Sequence, residues 1–113
     1  MTTLDRANEI VAMLEAGNVR ATTDPYVANP PCVLVTPPNM SFDLGCGFTA
    51  TWQLVALAPA AATADRTSWA SLDGLVLAVA GVVDLTDATL VSYVVNGRTY
   101  PAYILQMSEA LTL

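Results

Sequence analysis

The sequence predicts an α+β fold, with a mostly antiparallel, four-stranded sheet and two helices packed on one face. Three observations predict it: helical spacing of apolar residues from Leu4 to Leu14, strict alternation from Phe48 to Leu57, and Asn96-Gly97 between two strand-like runs. Because hairpins and short links join neighbouring strands, the sheet is expected to be antiparallel. The length of 113 residues fits a single domain, residues 1–113.

The first helix has start and stop signals. Thr2 or Thr3 is the expected N-cap, Asp5 lies in the first turn, and Gly17 is expected to end the helix. The apolar stripe consists of Leu4, Ala7, Ile10, Val11 and Leu14. Arg6, Glu9 and Glu15 are expected to face solvent. This helix should lie on the sheet.

Prolines frame the first predicted strand. Residues 18–31 read as a loop, and Cys32–Val35 follows as a short apolar strand between Pro30-Pro31 and Pro37-Pro38. Such flanking prolines protect short or edge strands. Residues 38–47 are predicted to form a turn region.

The longest predicted strand runs from Phe48 to Leu57. One of its faces is expected to be core and contains Phe48, Ala50, Trp52, Leu54 and Ala56. Its other face begins polar and ends apolar, so it is expected to meet solvent in part and another chain in part. Pro59 ends the strand.

A second helix is predicted from Thr63 or Asp65 to Gly81. Its apolar stripe consists of Trp69, Leu72, Val76 and Val79. Gly74 in mid-helix costs about 1 kcal/mol relative to Ala, which suggests a close contact there.

The strongest local signal is Asn96-Gly97, which predicts a two-residue hairpin between Val91–Val95 and Thr99–Met107. Pro101 has no N–H, so its side of the strand should be unpaired or bulged. Residues 108–113 are expected to fray.

Composition predicts self-association. The chain is 54% hydrophobic and 12% charged, whereas soluble domains average about 25% charged residues. Large exposed apolar patches usually mark interaction sites; the alternative is that alanine, tolerated anywhere, accounts for the excess. Ten acidic residues against four arginines give a net charge of −6, which argues against binding to nucleic acid or anionic membranes.

Residues suited to catalysis are scarce. The chain has no His and no Lys, the usual sources of acid–base catalysis besides carboxylates. Asp84 and Asp87 read as turn formers. Cys32 and Cys46 lack partners for a zinc site, and Gly45-Cys46-Gly47 reads as a turn with a buried thiol. We therefore predict no enzyme activity, no cofactor and no metal.

The N-terminus is acidic where a signal peptide would be basic, and apolar runs are about half the ~20 residues of a membrane span. We expect a protein of the reducing cytoplasm, without a membrane segment. Trp52 and Trp69 are expected in the core. Tyr93, Tyr100 and Tyr103 fit either a core edge or an interface.

Several phrases resemble the tail terminator proteins of siphophages, especially those infecting actinobacteria. They are Pro30–Val35 with Pro37-Pro38, Phe42-Asp43, Thr49–Pro59, Val91–Val95 and Arg98–Tyr103. The resemblance covers about residues 19–107 and consists of strand and turn phrases. It carries no catalytic residues.

The resemblance implies a virion protein at the neck end of a phage tail, assembled in the host cytoplasm. It implies a homo-oligomeric ring, typically a hexamer, that caps the tail tube, stops its polymerisation and provides the head–tail joining surface. The major tail tube protein and a head–tail connector protein would be its partners. DNA would pass through the lumen without specific binding, since an acidic lumen would repel the phosphate backbone.

A closed ring needs a heterologous contact. We expect the 37–47 loop, with Phe42 and Asp43, and the hairpin edge, with Tyr100 and Tyr103, to contribute to it. Two alternatives stay open: another neck or tail-tube component, and a small dimeric module that binds a ligand on the apolar strand face.

Overall fold

Six strands form one mixed sheet, and two helices cover part of one face. The computed structural model describes residues 2–28, 31–42, 47–58 and 66–112. In these ranges the elements are α1 (Thr3–Ala16), β1 (Ala21–Thr22), a 3-10 turn (Pro25–Val27), β2 (Cys32–Val35), β3 (Asn39–Phe42), β4 (Gly47–Leu57), α2 (Arg66–Ala80), β5 (Asp87–Val95) and β6 (Arg98–Thr112).

The strand order is β1-β2-β4-β6-β5, and β3 pairs with β4 on the same side as β2. β1 is parallel to β2, and the other pairs are antiparallel. The α+β class is therefore confirmed. The four-stranded, antiparallel sheet is wrong in detail, because β1 and β3 add two short strands and one parallel pair.

Helix α1 begins and ends as predicted, although its end has a different cause. Thr2 and Asp5 form a capping box. At the C-terminus, Asn18 takes the left-handed conformation with φ 63°, and the Val19 N–H donates to the Leu14 carbonyl at 2.8 Å. Gly17 is required for space, since a Cβ there would lie 2.7 Å from Cγ2 of Val82.

The proline pair Pro37-Pro38 interrupts one edge of β4. β2 pairs with the C-terminal part of β4, as in Val35 opposite Leu54, and β3 pairs with its N-terminal part, as in Asn39 opposite Thr51. β2 is covered by β1, so it is not an edge strand. The turn predicted for residues 38–47 thus contains β3, and residues 43–46 lie outside the described residues.

The main core lies between the sheet and both helices. Its central side chain is Trp52, which is fully buried. Ile10 and Leu14 of α1 and Val79 of α2 pack against the same face of β4 and β6. This confirms the predicted inner face of the long strand.

A smaller cluster occupies the opposite face at the other end of the sheet. Its buried members are Cys32, Leu34, Val55, Leu57, Val95 and Ala102. This cluster explains why the second face of β4 changes from polar to apolar along the strand. Residues 49–53 on that face are only partly buried, whereas Val55 and Leu57 are buried.

Four detailed expectations need correction. Trp69 is 65% exposed and does not join the core. Arg6 is half-buried and pairs across the fold. Residues 108–112 do not fray but continue β6 along β4. Gly74 makes no close contact, since nothing lies within 4 Å of a Cβ built there.

Pro101 stays in register. β5 and β6 pair without interruption from Val95 opposite Arg98 to Asp87 opposite Gln106, so there is no bulge at Pro101. The Ala58 N–H donates to the Pro101 carbonyl at 3.1 Å. The proline nitrogen therefore faces β4 just beyond the last paired residues, where its missing N–H breaks no bond of the β5–β6 ladder. Thr63, Asp65 and Pro59 lie outside the described residues.

Candidate assembly surface

The helices cover less of the sheet than its full width. They pack mainly on β1, β2, β4 and β6. On the helix-facing side, the two strands β3 and β5 carry four exposed apolar side chains: Met40 (50% exposed), Phe42 (62%), Leu90 (63%) and Val94 (64%). We call these two strands with their exposed side chains the β3 edge and the β5 edge.

Among the residues that the structure describes, the outward backbone groups of the β5 edge pair with no other strand. In a two-residue hairpin the flanking residues, Val95 and Arg98, exchange hydrogen bonds, and bonding then alternates along the strand. The N–H and C=O groups of Leu90, Ser92 and Val94 therefore point away from β6. The Ala88 N–H also points outward, and the Asp87 carboxylate accepts from it at 2.9 Å. Residues 88–95 contain no proline, no lysine and no bulge, the usual protections of an edge strand.

The β3 edge has the same arrangement. The Thr36 N–H donates to the Gln53 carbonyl at 3.3 Å, which shows that odd-numbered residues of β4 bond toward β2 and β3. By register Asn39 and Ser41 bond back to β4, so the backbone groups of Met40 and Phe42 point outward. The Phe42 ring lies 5.5 Å from that of Phe48.

The structure does not gather the predicted interface residues into one patch. Phe42 is exposed on the β3 edge, whereas Asp43 lies outside the described residues. Tyr100 and Tyr103 are half-buried on opposite faces of β6, against the smaller and the main cluster respectively. Phe42 and Tyr103 are opposite Phe48 and Ala56, which are roughly 26 Å apart along β4.

Met40, Leu90 and Val94 were missed by the sequence prediction. The signal was present in the alternation of residues 87–95, where Leu90 and Val94 share one face. The strand predicted from Val91 starts too late to include Leu90, whereas the observed strand begins at Asp87. Met40 fell within a segment read as a turn because prolines and glycines surround it.

A cluster of polar side chains links α1 to the C-terminal part of β6, residues 106–112. The Glu109 carboxylate accepts from Arg6 Nε at 3.0 and 3.1 Å, from Arg6 Nη2 at 2.9 Å and from Trp52 Nε1 at 2.8 Å. Arg6 also pairs with Glu9 at 2.9 Å. These hydrogen bonds, chiefly from Glu109, raise the pKa of Arg6. Every charged group here has a partner, so the cluster serves stability.

A groove of about 490 Å³ lies between the hairpin tip and the 3-10 turn. Tyr26 and Tyr93 are among its walls, and none of its lining residues is charged. The Asn96 Nδ2 group donates to the Pro25 carbonyl at 2.9 Å and ties the two walls together. Such a groove can accept an extended apolar segment but offers no group for acid–base chemistry.

The remaining candidate groups are dispersed. Asp84 and Asp87 are exposed, and Cys32 is buried. Within the described ranges no three potential metal ligands come together. Across the same residues no helix combines the length and apolarity needed to cross a bilayer.

Comparisons with protein-family models, with curated proteins and with solved structures find no match for this chain. Function therefore has to be argued from the surface itself.

Proposed function

We propose that this protein is a structural subunit of a closed ring that caps the tail tube of a long-tailed phage. The ring would end tube polymerisation and provide the surface to which the head is joined. Its partners would be copies of itself, the tail tube protein and a head–tail connector protein. The architecture of the edges supports a ring, and the sequence phrases that resemble tail terminators are the reason for placing that ring on a tail.

The observation that carries the proposal is the pair of open edges. A ring requires two different, complementary surfaces on each subunit. In the strand order the β3 edge and the β5 edge lie on opposite sides of the sheet, and each presents outward backbone groups with two exposed apolar side chains. The hairpin end of β5, including Val94, also lines the groove beside the 3-10 turn. A solitary protein gains nothing from two unprotected edges, which favour aggregation.

The face opposite the helices suits passage of DNA. Where the start of β4 lies beside the C-terminal part of β6, the polar side chains of this face are uncharged. They include Thr49, Thr51, Gln53, Gln106 and Ser108. Asp87 lies opposite Gln106 on the same face. Without Lys or Arg, this part of the face offers a phosphate backbone no charge-neutralising contact. A basic residue of the face, Arg98, lies at the hairpin end. Helices add a bulky layer, which fits the longer outer circumference of a ring.

Electron microscopy of particles assembled without this protein tests the proposal. Overlong or headless tails are the expected result, because tube subunits would continue to add and no joining surface would form. Tails of normal length that carry heads would contradict it. Restoring the protein in trans should restore normal length, which controls for effects on neighbouring genes.

A small ligand-binding module is the second candidate, favoured by the groove between Tyr26 and Tyr93. A ligand of this groove would raise the melting temperature of the protein by mass action. Tyr93→Ala should abolish that shift. A thermal-shift screen with apolar small molecules separates the two functions, since the ring requires no such ligand.

A further inference from the structure

We infer that neighbouring subunits join by strand addition, with β3 of one copy pairing antiparallel with β5 of the next. This inference rests on the proposed ring and specifies its contact. A second copy of this chain is thus the occupant of the β5 edge, and its exposed Met40 and Phe42 cover Leu90 and Val94. Two properties of the edges select this pairing. One is the hydrogen-bond phase, meaning which residues direct their backbone N–H and C=O groups outward, and the other is the face on which each side chain lies.

Hydrogen-bond phase matches between the two edges. Outward backbone groups belong to even-numbered residues on both: Met40 and Phe42 on β3, and Leu90, Ser92 and Val94 on β5. In an antiparallel pair, hydrogen-bonded residues lie directly opposite each other and their side chains share a face. Pairing the two edges therefore places all four exposed apolar side chains on the helix-facing side, where they bury one another.

The C-terminal part of β6 is a second open edge, but pairing it with β3 would not bring the exposed apolar side chains together. Beyond Gln106, β6 has no partner on the β5 side within the described residues. Its outward groups belong to Ser108 and Ala110, whose side chains lie on the face opposite the helices. A β3 strand added there would place Met40 and Phe42 beside Ser108 and Ala110, and it would turn the helices of the two copies to opposite sides. Phase thus selects β5 as the partner of β3.

Charge also permits the contact. Neither Asn39–Phe42 nor Ala88–Val95 contains a charged residue. A chain with net charge −6 would repel its own copies at most other surfaces. The two edges are uncharged, so association there avoids most of that repulsion.

The rival contact between copies is β5 with β5 around a two-fold axis. It satisfies hydrogen-bond phase as well, because even residues again face even residues. Centred on Val91, it sets Leu90 opposite Ser92, and centred on Ser92 it sets Leu90 opposite Val94. In both registers Met40 and Phe42 stay exposed. This contact would also give a closed dimer, with no surface left on β5 for a ring.

Disulfide cross-linking distinguishes these arrangements. In a Cys32→Ala, Cys46→Ala background, Ser41→Cys is combined in turn with Thr89→Cys, Val91→Cys and Tyr93→Cys, one pair for each of the three best-overlapping registers. Odd-numbered positions are the closer, non-hydrogen-bonded pairs, at about 4.5 Å between Cα atoms, which suits a disulfide. Ser41→Cys with Leu90→Cys is the matched control, because these side chains would lie on opposite faces.

We expect one of the three odd pairs to give a ladder of covalent oligomers on mild oxidation, at least tenfold above the Leu90 control. Dimers from Val91→Cys alone, or from Val91→Cys combined with Tyr93→Cys in a chain that keeps Ser41, would instead show the two-fold contact and overturn the inference. Oligomers seen by light scattering without cross-linking of any odd pair would also overturn it, while leaving the ring intact. A chain that stays monomeric with tail tubes present would contradict the ring itself.

A second measurement needs no cysteine. Leu90→Lys places a charge on the β5 edge, and Leu77→Lys places one on the outer side of α2, where Leu77 is equally well exposed. Leu90→Lys should abolish assembly and Leu77→Lys should preserve it, with both proteins folded by circular dichroism. Equal assembly of the two variants would refute the role of β5.

Discussion

Leu105 and Leu90 point to the same side of one sheet but have opposite environments. Leu105, in the central strand β6, is fully buried beneath the helices, whereas Leu90, in the edge strand β5, is mostly exposed. The difference arises because the helix layer is narrower than the sheet. Apolar residues at the centre thus stabilise the monomer, and those at the edges remain available for association.

The largest expected effect is on the centre. Leu105→Ala should lower the free energy of unfolding by about 2–5 kcal/mol, because it leaves a cavity in a packed core. Leu90→Ala should change it by less than about 0.5 kcal/mol, since the side chain is already in water. Urea denaturation of both variants under monomeric conditions measures the difference. Similar losses for the two would show that Leu90 is packed as tightly as Leu105, against the proposed difference between centre and edge.

The second largest loss of stability is expected in the polar cluster at the C-terminal part of β6. Glu109→Ala removes the acceptor of Trp52 Nε1 and the partner of Arg6, at a cost of about 2–3 kcal/mol. Glu109→Gln keeps the shape and one acceptor oxygen, which can still accept from Trp52 Nε1, but its NH2 group replaces the second acceptor and faces Arg6. It should therefore cost less than Glu109→Ala, and thermal unfolding of the two variants checks this order. A Gln variant as unstable as the Ala variant would show that the bond from Trp52 adds little to the pairing with Arg6.

Gly97 and Gly74 differ in backbone conformation, so the same substitution should have opposite effects on stability at the two positions. Gly97 in the edge hairpin has φ +78°, whereas Gly74 lies in mid-helix, and neither has an atom within 4 Å of an added Cβ. Gly97→Ala should therefore destabilise by about 1 kcal/mol through strain, and Gly74→Ala should stabilise by about 0.5–1 kcal/mol. Denaturation midpoints of the two variants should shift in opposite directions; a shared direction would contradict this account.

The smallest effect concerns pH at the start of α1. Hydrogen bonds from the backbone N–H and the side chain of Thr2 lower the pKa of Asp5 below its ordinary 3.8. A lowered pKa means that the carboxylate contributes stability above pH 3.8 and loses it as the pH falls through the lowered value. Asp5→Asn should therefore be slightly less stable than the parent at pH 7, and the difference should shrink as the pH falls below 3.8. A difference that does not shrink on acidification would assign the effect to another cause.

Local signals predicted much of the fold. Asn96 and Gly97 both adopt positive φ, as their turn requires, and Thr2 with Asp5 caps α1 as expected. These features succeed because neighbouring residues determine them. The alternation of residues 48–57 likewise identified the inner face of β4 correctly.

Other features depend on distant partners and could not be read from the sequence. Glu109 and Arg6 are 103 positions apart, and residues 108–112 become a strand because Gly47–Thr51 lies beside them. The helical stripe gives the side of α2 that faces the sheet but not where the sheet ends, so Trp69 was misplaced. The edges were missed for a similar reason: whether an apolar strand residue is covered depends on the width of the helix layer.

Sedimentation velocity of the purified protein, with and without isolated tail tubes, shows whether the subunits close into a ring. We expect a discrete closed oligomer, formed at high concentration or on the tubes, and its loss in Leu90→Lys but not in Leu77→Lys. A wild-type chain that remains a folded monomer in every condition, tubes included, would contradict it.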